Sequence, residues 1–407
     1  MMPGRRVAIA GVGYSTIGRH TGLSSDDLVI QSTKAALDDA GIGVADVDGL
    51  VSVGSNTIDN AWMLGIAPLR WWNSALEAPA FIYAAHQAIS AIASGFCDTA
   101  IAMRIIQQQP TGKKLLSGAG KNHPMTAQMA MAGGDRQFLL PMGLGSPVNW
   151  AGLLTQRYMA QYGATEEHFG HHVIAQREHA KRNEDAFFRD PLTMEEYLAS
   201  RYVSKPVRLL DCDYPCDSGS AIVFTTEERA RDLRKRPVLV EAASLTATRD
   251  INFEILGDMV ETSPHACAKD LWARTDLGAG DVDTAHLYDG FSIIPFQWLE
   301  ALGFCGPGEA GPFIQDGNTR PGGSLPMNTD GGACNVGRRH GANFCIEAVR
   351  QLRGEAEERQ VEGADVSVFT NSFGAVLWCR PADAGLSRRD ARNSERGAWS
   401  TRPCVGR

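Results

Sequence analysis

Two short segments of the sequence hold side chains that can move a proton or stabilise an anion. Tyr288 and Asp289 lie in the run His-Leu-Tyr-Asp-Gly-Phe. Arg338 and His340 lie in a glycine-rich segment, Asn328 to Gly341, that leads into a predicted helix. Glycines let a backbone approach a ligand closely, and the N–H groups at a helix start favour a developing anion. This set of residues suits acid–base chemistry on a substrate oxygen that becomes negative.

A third segment, Phe369 to Ala375, reads as a tight turn between two apolar strands. Asn371 and Gly374 in this turn are candidates to bind an oxyanion or a substrate, and so are Gly332 and Gly337 in the glycine-rich segment. Each segment also has a purely structural interpretation. The alternatives are a glycine-rich turn that caps a helix, a buried tyrosine beside a helix-capping aspartate, and an ordinary hairpin.

Other reactive side chains are weaker candidates. Cys334 could be a nucleophile at a helix N-terminus, but no histidine base is predicted beside it. Four histidines form a cluster for which a packing or solvated role is favoured, because no carboxylate pattern completes a metal site: His168, His171, His172 and His179. The nine cysteines include one close pair, Cys212 and Cys216, with no second pair to form a zinc site. We therefore predict no metal and a reduced, cytoplasmic protein.

The elements that must position these segments occur twice along the chain. The first copy reads strand 6–13, helix from Ser24 or Ser25 to Gly41, the turn Asp46-Val47-Asp48, strand 49–53, helix 84–94 and strand 99–103. The second copy reads strand 237–244, helix 266–275, the turn Asp281-Val282-Asp283, strand 284–288, helix 344–352 and strand 365–369. Alternating strands and helices predict right-handed βαβ crossovers, largely parallel sheets, and two halves packed through helices. A chance match between such short motifs is the alternative.

The repeat predicts an α/β protein of two similar halves, residues 1–230 and 231–384. Residues 105–200 form an insertion in the first half, with helices at 150–162 and 166–182. The stretch 105–150 has no clear period, which is typical of a functional lid or a disordered loop. Residues 385–407 are predicted to be a disordered, arginine-rich tail.

Composition narrows the class of protein. The chain has 407 residues, of which 43% are hydrophobic and 21% charged, as in a globular protein in water. A net charge of −8 argues against a nucleic-acid partner. No apolar run reaches the roughly 18 residues that a membrane span needs. The N-terminal apolar run is too short and too broken by glycine for a secretory signal.

Together, these features resemble the thiolase superfamily, within it the sterol-carrier-protein-x and lipid-transfer branch, and especially the steroid side-chain aldolases. The resemblance rests on five segments: Leu287 to Phe291, Asn328 to Gly341, Glu347 to Gly354, Leu209 to Ala221, and Leu302 to Ala310. It implies the thiolase fold, in which two βαβαβ-type halves form five layers in the order αβαβα.

The sequence departs from that of a true thiolase at the residues that matter most. Thiolases have a nucleophilic cysteine near the position of Ala78, and this stretch contains no cysteine. Their Gly-His-Pro-x-Gly motif corresponds here to Gly337 to Gly341, so Arg338 replaces the histidine. Without a thiolate there is no acyl-enzyme, and we reject thiolysis.

The aldolases also lack those cysteines. The resemblance makes Tyr288 a catalytic tyrosine and places a histidine at His340. The family's second catalytic tyrosine falls at Arg338, which is a departure from its pattern.

The resemblance implies retro-aldol cleavage of a β-hydroxyacyl-CoA, a steroid or similarly bulky thioester. Tyr288 would act as base or acid. Arg338 cannot give up a proton and would stabilise the enolate or hold a carboxylate or phosphate. His340 would shuttle a proton, or simply bond to backbone. The alternatives are a non-catalytic acyl-CoA or lipid binder and a condensing acyltransferase.

The resemblance also implies partners. Coenzyme A would enter as part of the substrate, with no separate cofactor. We expect a homodimer that forms through a sheet edge, and a small OB-fold partner protein with a zinc ribbon.

Overall fold

A computed structural model of the chain describes residues 4–74, 80–108, 136–248, 259–372 and 374–381. The strands are β1 Val7–Tyr14, β2 Gly49–Val53, β3 Trp71–Ser74, β4 Thr99–Ile106, β5 Tyr202–Ser204, β6 Val207–Arg208, β7 Ser218–Thr226, β8 Val238–Leu245, β9 Thr284–Leu287, β10 Val366–Asn371 and β11 Gly374–Cys379. The helices are α1 Ser25–Ala40, α2 Thr57–Leu64, α3 Phe81–Ala93, α4 Arg136–Leu139, α5 Pro147–Tyr162, α6 Glu166–Ala180, α7 Met194–Ala199, α8 Glu227–Ala230, α9 Ser263–Trp272, α10 Ile293–Ala301, α11 Ala310–Gln315, α12 Ala333–Val336 and α13 Ala342–Arg353.

The predicted duplication is confirmed by the strand order. The large sheet has nine strands in the order β3-β2-β4-β7-β1-β8-β11-β10-β9. Its two ends show the same arrangement, because β2-β4-β7-β1 in the first half corresponds to β9-β10-β11-β8 in the second. The halves join where β1 pairs antiparallel with β8, at Ala8 with Leu239 and Ile9 with Val238. The exact domain boundary, between residues 230 and 231, stays a prediction.

The prediction of largely parallel sheets is wrong. Strand β2 is parallel to β3 and β4, and β9 is parallel to β10. In contrast, β7 runs antiparallel to β4 and β1, and β11 runs antiparallel to β10 and β8. The final strand of each half, β7 or β11, runs antiparallel to both of its neighbours, and the alternation of strands and helices does not predict that reversal of direction.

The repeated Asp-Val-Asp turn makes the same bond in each half. Asp48 accepts a hydrogen bond from the backbone N–H of Thr99 at 2.8 Å. Asp283 accepts one from the backbone N–H of Val366 at 2.9 Å. In both halves a carboxylate thereby ties the turn to the start of the neighbouring parallel strand, which explains why the motif occurs twice.

Helices and strands form the five predicted layers. The first half of the sheet is β3-β2-β4-β7-β1, and the second half is β8-β11-β10-β9. The helices α3 and α13 lie between these two halves, where Phe81 and Phe344 are fully buried in one cluster. On the outer side of the first half, α1 buries Leu28. On the outer side of the second half, α9 and α10 bury Leu271 and Trp298. Full burial of a large apolar side chain contributes roughly 1.5–3 kcal/mol, so the central helix pair is strongly held.

The inserted helices cover the second half of the protein, although they are part of the first half in sequence. Tyr158 of α5 and Phe169 of α6 pack edge-on and stacked against Phe296 of α10. The helix bounds agree closely with those predicted. Residues 109–135 of the predicted loop and the predicted tail, 385–407, lie outside the described residues. In the ranges that the structure describes, no helix is long and apolar enough to cross a bilayer.

Candidate active site

Tyr288 follows β9 at the edge of the central helix layer. The side chain of Asn328 pairs with both backbone groups of Leu287: Oδ1 accepts from the N–H at 2.7 Å, and Nδ2 donates to the carbonyl at 2.8 Å. The ring of Tyr288 lies edge-on to Phe344 of α13, with 6.3 Å between centroids. The start of the glycine-rich segment is therefore fastened beside Tyr288.

The phenol of Tyr288 stays protonated at neutral pH. Burial raises the pKa of Tyr288 well above its usual value of 10, and the charge of Asp213 raises it further. The cations of Arg338 and Arg104 act in the opposite direction without reversing the shift. A neutral phenol in this position is a proton donor, so Tyr288 suits the acid role better than the base role.

Arg338 lies beside the carboxylate of Asp213. Its Nη1 is 3.7 Å from Asp213 Oδ1, and the two side chains are 31% and 12% exposed. The backbone N–H of Arg338 donates to the carbonyl of Tyr214 at 2.7 Å. This bond fixes the glycine-rich segment against the segment before β7, which carries Asp213. The two segments thus bring a cation and a carboxylate together near Tyr288.

His340 is held through its ring by Arg104, at the end of β4. Arg104 Nε and Nη2 lie 3.2 Å and 2.6 Å from His340 Nδ1. Arginine can only donate, so Nδ1 must be the accepting nitrogen, and the neutral imidazole carries its proton on Nε2. His340 is therefore set as an N–H donor.

The backbone of His340 is held in an uncommon conformation. Its φ angle is 49°, a left-handed value that costs a non-glycine residue about 1 kcal/mol or more. Its carbonyl accepts from the N–H of Phe81, the first residue of α3, at 2.9 Å, and from Asn371 Nδ2 at 2.5 Å. Strand β4, helix α3 and strand β10 thus all bond to His340. Strained backbone conformations held in this way are typical of functional sites.

Arg104 was not predicted as a site residue. It is buried in β4 and also donates from Nη1 to the carbonyls of Val53 at 3.1 Å and Ile105 at 2.5 Å. Burial, together with the nearby cation of Arg338, lowers the pKa of Arg104 to about 10, so it stays charged at neutral pH. The signal in the sequence is a single charge within the apolar strand Thr-Ala-Ile-Ala-Met-Arg-Ile-Ile.

Asp289 points beneath the glycine-rich segment. Its Oδ1 accepts from the N–H of Ala333, at the start of α12, at 2.9 Å. Its buried Oδ2 has no hydrogen-bond partner among the described residues, and the same holds for Oε1 of Gln176. Burial raises the pKa of Asp289 to about 8. These contacts make Asp289 a support for the segment, and its catalytic role stays a prediction.

The four residues predicted to bind an oxyanion or substrate contact protein atoms. A methyl group on Gly332 (φ 74°) would collide with Asp289 Oδ2, and one on Gly337 (φ 93°) would lie 2.6 Å from Cys216 Sγ. Asn371 donates to His340, as above. A methyl group on Gly374 would meet Ile82 of α3. These residues pack against the side chains that form the candidate site, and substrate binding by them stays a prediction.

Cys334 is not a poised nucleophile. Burial raises the pKa of its thiol well above the usual 9, and the carboxylate of Asp289 adds to the shift. Burial likewise raises the pKa of Cys212 and of Cys305 to about 12. The position of Ala78 lies outside the described residues, and the sequence has no cysteine from 75 to 80. Among the residues that the structure describes, these cysteines therefore provide no ionised thiol for acyl transfer.

Two of the four histidines in the predicted cluster are buried. His172 and His179 are buried, and burial lowers the pKa of His172 to about 3 and that of His179 to about 4. His179 Nε2 lies 2.9 Å from the carbonyl of Thr319. Within the part of the chain that the structure describes, no group of His, Cys, Asp and Glu has the geometry of a metal site.

Comparison with known proteins agrees with this geometry. Residues 246–379 match the family described as Thiolase C-terminal domain-like. A steroid side-chain-cleaving aldolase of Thermomonospora curvata is 35% identical over 380 residues, which is 90% of this chain and 95% of that protein. The chain belongs to the thiolase superfamily, in the branch of the steroid side-chain-cleaving aldolases.

Two further likenesses support this membership. The 17-hydroxy-3-oxo-4-pregnene-20-carboxyl-CoA lyase of Mycobacterium tuberculosis is 36% identical over 360 residues, 86% of this chain and 92% of that enzyme. A solved Ltp2-ChsH2(DUF35) aldolase superposes with a TM-score of 0.82 at 32% identity, covering 93% of this chain and 99% of that one. The predicted thiolase-like fold and family are thus confirmed.

Membership in the aldolase branch agrees with the absence of the thiolase cysteine before α3. In this chain the first N–H of α3 is occupied by the carbonyl of His340. The start of α3 thus holds the backbone of His340, whose ring is an N–H donor. In a thiolase, the start of the corresponding helix carries the nucleophilic cysteine. The chain keeps the thiolase fold and presents a different set of reactive groups.

Proposed function

We propose that this protein cleaves a carbon–carbon bond in a β-hydroxyacyl-CoA by a retro-aldol reaction. The observation that carries the proposal is that Arg338 and Arg104 both act electrostatically on Tyr288, while Arg104 also holds the ring of His340. The buried thiol of Cys334 has a raised pKa and is not ionised beside them. Relatives named as a steroid side-chain-cleaving aldolase and a pregnene-carboxyl-CoA lyase support a steroid or similarly bulky acyl group.

The geometry supports a division of roles. His340, an Nε2–H donor fixed by Arg104, would bind the thioester oxygen as it becomes an enolate. Arg338 adds positive charge for the same anion. Tyr288, protonated because its pKa is raised by burial, would deliver a proton to the α-carbon of the enolate. These are the requirements of retro-aldol cleavage, apart from the base that takes the hydroxyl proton.

The test is cleavage of 17-hydroxy-3-oxo-4-pregnene-20-carboxyl-CoA, the thioester named for the mycobacterial relative, followed by appearance of the ketone product. The parent chain should cleave it, and Tyr288→Phe should lower kcat by about 10²–10⁴-fold, the usual contribution of a general acid. Tyr83→Phe is the matched control and should keep kcat. Tyr83 bonds to Ser372 at 2.9 Å, outside the proposed proton path.

Unchanged turnover in Tyr288→Phe would remove Tyr288 from the mechanism. Absence of cleavage by the parent chain, both alone and with a DUF35-type partner protein, would contradict the proposed reaction. Binding of the thioester without cleavage would favour the non-catalytic binder.

We further propose the two partners. Strand β3 is an edge of the nine-stranded sheet. Its own Trp72 is 53% exposed, and Trp62 of the neighbouring α2 is 87% exposed. An open strand edge next to exposed tryptophans suits a symmetric pairing of two chains.

The solved aldolase named with a ChsH2(DUF35) component supports a partner of the OB-fold, zinc-ribbon kind. Light scattering after gel filtration of the chain, alone and mixed with such a partner, measures both. A cytoplasmic location and the absence of a separate cofactor stay predictions.

A further inference from the structure

We propose that Asp213 is the general base that takes the hydroxyl proton of the substrate. This inference rests on the proposed retro-aldol function and completes it. Asp213 lies in the segment before β7, distant in sequence from every predicted site residue, but its Oδ1 is only 3.7 Å from Arg338 Nη1. The backbone N–H of Asp213 donates to the carbonyl of Gly290 at 3.1 Å. Asp213 is thereby fixed to the same loop that carries Tyr288.

The other groups at the site cannot take this proton. Arg338 and Arg104 are cations at neutral pH. His340 accepts from Arg104 at Nδ1 and carries its proton on Nε2, so both of its nitrogens are committed. Tyr288 holds its own proton. A base must come from elsewhere, and the carboxylate of Asp213 is ion-paired with Arg338 and acts electrostatically on Tyr288.

Asp289 is the competing carboxyl group, and its position excludes it. Its Oδ1 accepts from the N–H of Ala333, and its Oδ2 is buried against Gly332 beneath the glycine-rich segment. In contrast, the side chain of Asp213 keeps 12% of its surface exposed. Burial raises the pKa of Asp213 to about 6, against the pull of Arg338, a value suited to a base at neutral pH.

The proton balance closes within the site. Asp213 takes the proton from the β-hydroxyl, and the C–O bond becomes a carbonyl as the Cα–Cβ bond breaks. The electron pair of that bond forms the enolate, whose oxygen faces His340 and Arg338. Tyr288 gives its proton to the α-carbon, and protonated Asp213 then returns a proton to the Tyr288 oxygen. The products are a ketone and a shortened acyl-CoA, with no proton consumed and no oxidant needed.

The experiment compares Asp213→Asn with Asp211→Asn on the same steroid thioester. Burial raises the pKa of Asp211 to about 6 as well, but Asp211 is held by Tyr197 at 2.9 Å and Ser292 at 2.8 Å, away from Arg338. In the parent chain kcat/KM should rise with pH through about 6, because the base must be ionised. Asp213→Asn should lose about 10²–10⁴-fold in kcat and lose this acid limb. Asp211→Asn should keep the limb.

The titratable groups that face Asp213 must be considered in reading this profile. They are Arg338, Tyr288 and Asp289 from the two loops packed against it, and Cys212 and Cys216 on its own segment. The shifts of the pKa of Asp289 to about 8, and of the pKa of Cys212 to about 12, place their titrations above that of Asp213. A limb near pH 6 that vanishes in Asp213→Asn therefore belongs to Asp213.

Two further measurements separate a chemical role from a structural one. Asp213→Asn should bind the same thioester without its hydroxyl as tightly as the parent, and Asp213→Glu should regain part of the rate. If Asp213→Asn keeps kcat within about threefold and keeps the acid limb while Tyr288→Phe is inactive, Asp213 is not the base and the proposed function stands. If the parent chain does not cleave the thioester at all, the proposed function and this inference are both overturned.

Discussion

Replacing Arg104 by methionine tests whether the tautomer of His340 is set by the protein. Methionine keeps an unbranched apolar stem in β4 and removes the guanidinium. It leaves His340 Nδ1 and the carbonyls of Val53 and Ile105 without their charged donor. A hydrogen bond to a charged group contributes roughly 1.5–3 kcal/mol, but the buried cation is itself costly. We expect a net loss of stability of about 2–4 kcal/mol.

The effect on catalysis should be larger than the effect on folding. Without Arg104, the imidazole of His340 can carry its proton on either nitrogen and can turn within the site. The fixed Nε2–H donor to the enolate oxygen is then lost. Removal of one preorganised donor of this kind lowers kcat by about 10²–10³-fold. The assay is ketone release from the steroid thioester, with folded protein quantified at the assay temperature.

Arg353→Met is the matched control. Arg353 is a buried arginine at the far end of α13, where it bonds to Asp39 and to the carbonyl of Ala10, both at 2.8 Å. It should lose stability and keep kcat. Added guanidinium ion should partly restore Arg104→Ala, whereas Arg104→Lys should stay impaired because an ammonium cannot form the same fork. Equal kcat in Arg104→Met and the parent, or equal losses in both arginine variants, would refute a positioning role for Arg104.

Three further predictions concern the support of the site. Gly332→Ala should cost about 1–3 kcal/mol more than Gly363→Ala in denaturation, because both positions have positive φ but only the first added methyl group meets another atom, Asp289 Oδ2. Asp289→Asn should raise the melting temperature relative to the parent by an amount that grows as the pH increases from about 4 to about 8. The pKa of Asp289 is raised by burial from 3.8 to about 8, so the folded state favours its proton, and this contribution to stability is present at low pH and lost as pH rises through the folded pKa. Cys334→Ser should cleave the thioester within about threefold of the parent rate, and iodoacetamide at neutral pH should leave the parent active, because burial raises the pKa of the thiol. Loss of activity on alkylation of Cys334 alone would instead support the acyltransferase alternative.

The duplicated fold could be predicted because its signals are local. The Asp-Val-Asp turns bond to the neighbouring strand in both halves, and the helices follow at the same places. The direction of β11 also has a local signal, because the tight turn at 369–375 indicates an antiparallel hairpin. The direction of β7 has no such signal, because β7 follows a long insertion and pairs antiparallel with β1, which is distant in sequence.

Part of the candidate site could be proposed from the sequence, for a similar reason. Tyr288, Arg338 and His340 lie in segments with unusual composition. In the structure, Arg338 and Arg104 act electrostatically on Tyr288, and Arg104 holds the ring of His340. Arg104 and Asp213 were missed because each reaches the site only through the fold. Arg104 is separated from His340 by most of the chain, and an isolated charge in an apolar strand does not indicate what it will bind. Sequence spacing cannot show contacts of this kind.

The charges around the site explain why a thiolase fold can serve a reaction without a cysteine. Arg104 and Arg338 contribute two cations, and Asp213 contributes one carboxylate, which becomes neutral when it accepts a proton. The net charge of these three side chains is therefore most positive at the moment when the enolate forms. A thiolate would neutralise this positive charge before the substrate bound. With no cysteine before α3 and with neutral donors at Tyr288 and His340, the positive charge remains to stabilise the anion that develops on the substrate itself.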